Sequence, residues 1–151
     1  MDMFASEENF RLPRFASLLA SETACHRNAF TLNWKEAGYS YFHPPVPSIG
    51  AVIKTIVRDQ ATGILIVPHW VTMKDWLFIC QDGVHVNRLF PRVLMFRPRY
   101  VAGKDVVSLT FAGTPKFQTL ALVFDGAIQR PLISKKGKVF CTRHGCMKCQ
   151  K

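Results

Sequence analysis

Two strand patterns that end in proline, on either side of one helical pattern, constrain the fold of this chain more than any other feature. Residues 39–42, YSYF, read as a short buried strand that His43-Pro44-Pro45 ends, because proline fixes φ and removes a ladder donor. Ser48 then stands where a helix cap belongs. Beyond it Ile49, Val52, Ile53, Ile56 and Val57 recur at helical spacing. Arg58 and Asp59 end that helix, and TGILIVP, residues 62–68, is the clearest strand in the chain. Strand, turn, helix and strand in this order predict two parallel strands joined by a right-handed crossover.

The remaining pattern is consistent with an α/β sheet that finishes antiparallel. The segment 7–21, EENFRLPRFASLLAS, predicts a short helix interrupted at Pro13 and then a loop. Thr72-Met-Lys-Asp75 has the spacing of an acidic capping box before Trp76, Leu77, Phe78 and Ile79. RVLMF (92–96), VVSLTF (106–111) and FQTLALVF (117–124) read as strands, the last two pairing as a hairpin across Gly-Thr-Pro. After Gly126 the apolar pattern fades. The expected organisation is therefore a domain over 1–126 and a basic linker with a Cys/His-rich tail over 127–151.

Charge is segregated along the chain. Residues 1–82 hold seven Lys/Arg and eight Asp/Glu, whereas residues 83–151 hold thirteen and two, for a formal total of +10. Such asymmetry points to a polyanion partner, DNA or RNA, since neutralised phosphates release counterions. RLFPRVLMFRPRY (88–100) interleaves Arg88, Arg92, Arg97 and Arg99 with Phe90, Phe96 and Tyr100, and Lys104, Lys135, Lys136 and Lys138 extend the basic character. Arginines that hold phosphates and aromatics that stack on bases make this a candidate nucleic-acid face. The alternative is a strand that buries Val93, Leu94, Met95 and Phe96 while its arginines are solvated. No 18-residue apolar run is present, so no membrane span is expected. The N-terminus lacks the form of a secretory signal, so an intracellular protein is expected.

Five cysteines, an odd number in a chain of this kind, do not suggest a disulfide framework. The tail CTRHGCMKC offers Cys141, His144, Cys146 and Cys149 as candidate zinc ligands in C-x2-H and C-x2-C halves. Only Gly145 separates the halves, whereas zinc sites usually separate them by a dozen residues or more. A tail with free thiols, or half of a site that a partner completes, is the alternative. Trp70 and Trp76 flank a loop beyond LIVP and either line a base pocket or close the core. His69 and His85 read as structural or exposed, and Cys25-His26 as a loop without a role.

FHPPVPSIG (42–50), the helix after it and LIVP (65–68) resemble, in that order, the phage-type DNA N6-adenine methyltransferases, the Dam-like group. DMFASEENFRLPRF (2–15), NAFTLNW (28–34) and LALVFDG (120–126) resemble further blocks of that family. With LIVPHWVTMKDW, they are most similar to the copy carried by DIRS-type tyrosine-recombinase retroelements. The resemblance covers about residues 2–126 and implies a truncated Rossmann-like methyltransferase sheet, with a parallel core and a C-terminal antiparallel hairpin. It implies S-adenosylmethionine beside Asp2, Ala5, Ser6 and Asn9. It also implies that His43, Pro44, Pro45 and Val46 occupy the positions that hold and stack the target adenine.

The departures from the family pattern carry as much meaning as the match. His43 replaces an Asn or Asp, and a neutral imidazole offers one acceptor nitrogen. Val46 replaces an aromatic, and losing a base–aromatic stack costs about 1–3 kcal/mol. Asn28 stands where an Asp is expected, and the first strand is expected to be almost absent because Asp2 lies so near the start. These features predict a degenerate methyltransferase-like domain that binds nucleic acid through its basic second half. The alternatives are an active S-adenosylmethionine-dependent adenine N6 methyltransferase, or a structural subunit of a larger nucleoprotein assembly.

Overall fold

The structure is a computed structural model that describes residues 1–82, 85–96 and 118–126. Its elements are β1 (Asp2–Ala5), β2 (Phe15–Ser17), β3 (His26–Arg27), β4 (Ser40–Phe42), α1 (Ile49–Asp59), β5 (Thr62–Pro68), α2 (Trp76–Ile79), β6 (Arg92–Phe96) and β7 (Thr119–Asp125). Short 3-10 turns occupy Ala29–Thr31 and Val46–Ser48. The seven strands make one mixed sheet in the order β3-β2-β1-β4-β5-β7-β6. The run β3-β2-β1-β4-β5 is parallel. β7 is antiparallel to both β5 and β6, so the α/β class and the antiparallel finish stand.

The unit that punctuation and periodicity predicted is present. β4 and β5 pair in parallel from Ser40↔Gly63 to Phe42↔Leu65, with α1 between them in the chain. α1 buries Ile49, Val52, Ile53 and Ile56, whereas Val57 falls off that face and is exposed. Gln60 ends the helix in the left-handed region at φ 53, and the Ala61 N–H reaches back to the Ile56 carbonyl at 3.0 Å. In β5 Gly63, Leu65 and Val67 are buried in alternation, the period of a pleated strand. Gly63 lets β4 approach closely, because a Cβ there would collide with the Ser40 carbonyl oxygen.

The core centres on aromatic contacts beside β4. Phe42 lies 4.9 Å from Trp34 and 5.3 Å from Phe124, ring centroid to centroid, and Phe4 lies 5.5 Å from Phe30. The Trp34 indole N–H donates to the Ala29 carbonyl at 2.6 Å, and the Trp34 backbone N–H donates to Asp59 Oδ2 at 3.1 Å. The first bond closes the NAFTLNW segment on itself, and the second fastens it to the last turn of α1. Each large apolar side chain so buried contributes roughly 1.5–3 kcal/mol.

Several expectations need correction. The segment 7–21 contains no helix and contributes strand β2 at Phe15–Ser17, with Phe15 and Ala16 buried and Phe10 stacked on Phe15 at 4.9 Å. Pro13 disfavours helical backbone just before it, and the chain leaves it extended. The first strand is short but present, as Asp2–Ala5 pairs with β2 on one side and β4 on the other. Ser48 holds the cap position of α1 without a side-chain capping bond, and Asp75 holds that of α2 likewise. RVLMF is strand β6, yet Leu94, Met95 and Phe96 are exposed, because β6 is an edge strand among the described residues. Residues 106–111 and 127–151 lie outside the described residues, so the hairpin partner and the tail carry no structural account. Among the described residues no helix is long and apolar enough to cross a membrane.

Candidate functional site

The sheet order reverses between β1 and β4. From β1 the chain moves outward to β2 and β3, and from β4 it moves the other way to β5. In open α/β sheets the crevice beyond the carboxyl ends of strands at such a reversal is the usual binding position. Here it lies between the Ala5–Ser6 end of β1 and the Phe42–His43 end of β4.

On the β1 side, Asp2 is 2 % exposed and both of its oxygens are engaged. Oδ1 accepts from the Phe4 N–H at 3.3 Å and Oδ2 from the Arg11 N–H at 3.0 Å. The carboxylate thus ties Arg11, in the loop after β1, back to the strand. Within that loop Asn9 Oδ1 accepts from the Ser6 N–H at 2.8 Å, and the Ser6 carbonyl accepts from Asn9 and Phe10 N–H groups at 3.2 and 3.1 Å. Ser6–Asn9 is therefore a β-turn that the Asn9 side chain closes from behind.

Asp2 opens β1 and Ala5 closes it, with Ser6 and Asn9 in the turn that follows. As placed, they do not fit the methyl donor. The Ser6 N–H is occupied by Asn9, Asp2 is sealed from solvent, and no glycine precedes Gly38 to let a ligand approach the backbone.

On the β4 side, His43 is exposed, Pro44 is buried and Pro45 opens the 3-10 turn that contains Val46. Packing around the imidazole strips enough water to lower the His43 pKa below its ordinary value. Asp2 opposes this effect and Arg11 reinforces it. The ring is accordingly neutral at pH 7 and keeps an acceptor nitrogen. Tyr41, with its ring 6.4 Å from that of His43, has its pKa raised by burial and by Asp2.

A groove of about 630 Å³ lies beside the HPPV turn, between α1 and residues 70–75. Val46, Gly50 and Lys54 line one side, and Trp70, Lys74 and Asp75 line the other. Asp75 Oδ2 accepts from the Gly50 N–H at 3.0 Å. It thereby serves the first turn of α1, where a carboxylate meets orphan N–H groups and the positive end of the helix dipole. The two tryptophans separate in role, since Trp76 is buried in the core and Trp70 faces the groove. Sequence reasoning missed Lys54 and gave Asp75 to the start of α2 rather than that of α1. A glycine inside a strong helical pattern was the available signal, since such a glycine often marks a close neighbour.

The nucleic-acid candidates are divided by the described range. Arg88 and Arg92 are exposed. Through Val123, Arg92 lies level with Ile64 of β5, whereas Phe96 lies level with Pro68. Arg92 therefore sits toward the amino end of β5, away from the HPP turn. Arg97, Arg99, Tyr100, Lys104, Lys135, Lys136 and Lys138 lie outside the described residues, as do Cys141, His144, Cys146 and Cys149. Among the described residues no three His, Cys, Asp or Glu side chains cluster as metal ligands do. His85 pairs through Nδ1 with Asp82 on the surface.

Comparison with protein-family models, with curated proteins and with solved structures yields no match, so the sheet topology alone supports a Rossmann-like α/β domain.

Proposed function

We propose that this chain is a methyltransferase-like α/β domain of retroelement or phage ancestry, catalytically degenerate, that binds DNA or RNA through its basic second half. One observation carries the reading. The described residues hold nine Lys/Arg and nine Asp/Glu, so the whole excess of +10 belongs to residues 97–117 and 127–151. Charge concentrated in this way in particular stretches of the sequence is what a protein that meets phosphates needs. Val46 supports the degenerate part, because a valine gives a flipped base no ring to stack on.

The competing reading is donor-dependent adenine N6 methylation. The neutral His43 ring favours it, and the closed Ser6–Asn9 turn opposes it. Calorimetric titration with S-adenosylmethionine, beside duplex and single-stranded DNA and RNA over a salt series, separates the two. The expected result is no donor binding and nucleic-acid affinity that falls steeply with salt. Micromolar donor binding would overturn degeneracy and make His43→Ala the decisive variant. Failure of every ligand would replace the reading with a structural role in a larger assembly.

A further inference from the structure

We propose that the groove between α1 and residues 70–75 holds one nucleotide of a single-stranded nucleic acid, with Trp70 as the platform for its base. The inference rests on the nucleic-acid reading above and gives it a site within the fold. At about 630 Å³ the groove falls in the range of pockets that enclose small ligands, roughly 300–1,000 Å³. Its lining combines an indole with two ammonium groups, Lys54 from α1 and Lys74 from the loop. Gly50 and Ala51 give it a floor of small residues. Lys54 Nζ lies 5.4 Å from the centroid of the Phe78 ring, so a cation–π contact steadies its ammonium.

Asp75 tempers the charge without blocking the groove, because the Gly50 N–H holds one of its oxygens and fixes the other in place. A flat aromatic accompanied by two cations matches a base with phosphates on either side. An acidic peptide would engage the lysines and leave the indole without a role. A duplex keeps its bases stacked on one another and offers none to Trp70. The groove also begins at Val46, so it adjoins the HPPV turn.

The test uses the full chain and a fluorescein-labelled twelve-nucleotide oligothymidylate, read by anisotropy and by tryptophan quenching. Trp34 and Trp76 are buried, so quenching by a stacked base reports Trp70. Trp70→Ala is expected to weaken binding about tenfold or more and to abolish quenching, while Trp70→Phe keeps most of the affinity. Lys54→Gln with Lys74→Gln is expected to lower the salt slope by about 1.4, since each single-strand phosphate contact contributes about 0.7. Circular dichroism and thermal unfolding confirm that each variant is folded.

If oligothymidylate binds and these variants bind like the parent, the groove is excluded. Loss of binding in a Lys135→Gln, Lys136→Gln, Lys138→Gln variant would then locate binding in the basic tail and leave the general reading intact. Equal competition by polyglutamate, with no effect of Trp70→Ala, also overturns the proposal. No binding by the parent overturns both the groove and the general reading.

Discussion

Gly50 and Asp75 form a pair whose coupling can be worked out before it is measured. Asp75→Ala removes the acceptor of the Gly50 N–H. Loss of a capping acceptor at a helix start costs about 1–2 kcal/mol, the dipole term included. For a chain of this length that corresponds to a Tm lower by roughly 2–8 °C.

Gly50→Ala has two opposed effects. Alanine is better than glycine in a helix by about 1 kcal/mol. Its Cβ, however, would lie 2.6–2.8 Å from the Asp75 carboxylate atoms and would displace them from the Gly50 N–H. In the parent, the gain and the lost cap nearly cancel, leaving a change between zero and about 1 kcal/mol of destabilisation. In the Asp75→Ala background nothing is displaced, and the same substitution should stabilise by about 1 kcal/mol. Urea unfolding of the four proteins measures a coupling of about 1–2 kcal/mol and a reversal of sign. Equal stabilisation by Gly50→Ala in both backgrounds would refute the placement of Asp75 over the start of α1.

Two further substitutions test other joints of the fold. Asp59 has its pKa lowered, first by the Arg58 hydrogen bond and then, against an opposing effect of burial, by the Trp34 N–H. Its contribution is therefore complete above the ordinary carboxylate pKa and is lost as pH falls through the lower, folded value. Asp59→Ala should cost about 1 kcal/mol at pH 7, mostly through Trp34 because Arg58 is exposed. The gap from the parent should close on acidification below about pH 4, as thermal unfolding across pH would report. Gly63→Ala should destabilise by about 2 kcal/mol or more by pushing β4 from β5, measured by urea unfolding; an unchanged midpoint would contradict that strand register.

The parts of the fold legible in the sequence were those set by local periodicity. Ile49, Val52, Ile53 and Ile56 announce a helix face, and 62–68 announces a strand, because burial repeats at the period of the backbone. β2 was not legible, as three residues are too few to show a period and Phe15-Ala16 suits a helix as well as a strand. The role of Asp75 was hidden for another reason. Local spacing assigned it to the helix it precedes, whereas the chain folds so that it serves a helix start 25 residues earlier. Within the site, both sides of the crevice were named from the sequence. The internal closure of Ser6–Asn9 depends on backbone geometry that no motif encodes.

The sheet also gives the crevice two walls of unequal stiffness. On one side β4 leans on β5, which pairs with β7 along seven residues from Thr62 to Pro68. On the other side β1 leans on β2, and β2 on a β3 that pairs over only two residues. Opening free energies follow pairing and burial, so fluctuation should start at β3 and spread toward β1, while β5 and β7 stay shut. Whatever enters between Ser6 and His43 meets one fixed jaw and one yielding jaw. Its arrival would be felt as slower amide exchange in β2 and β3, one and two strands beyond the jaw it touches.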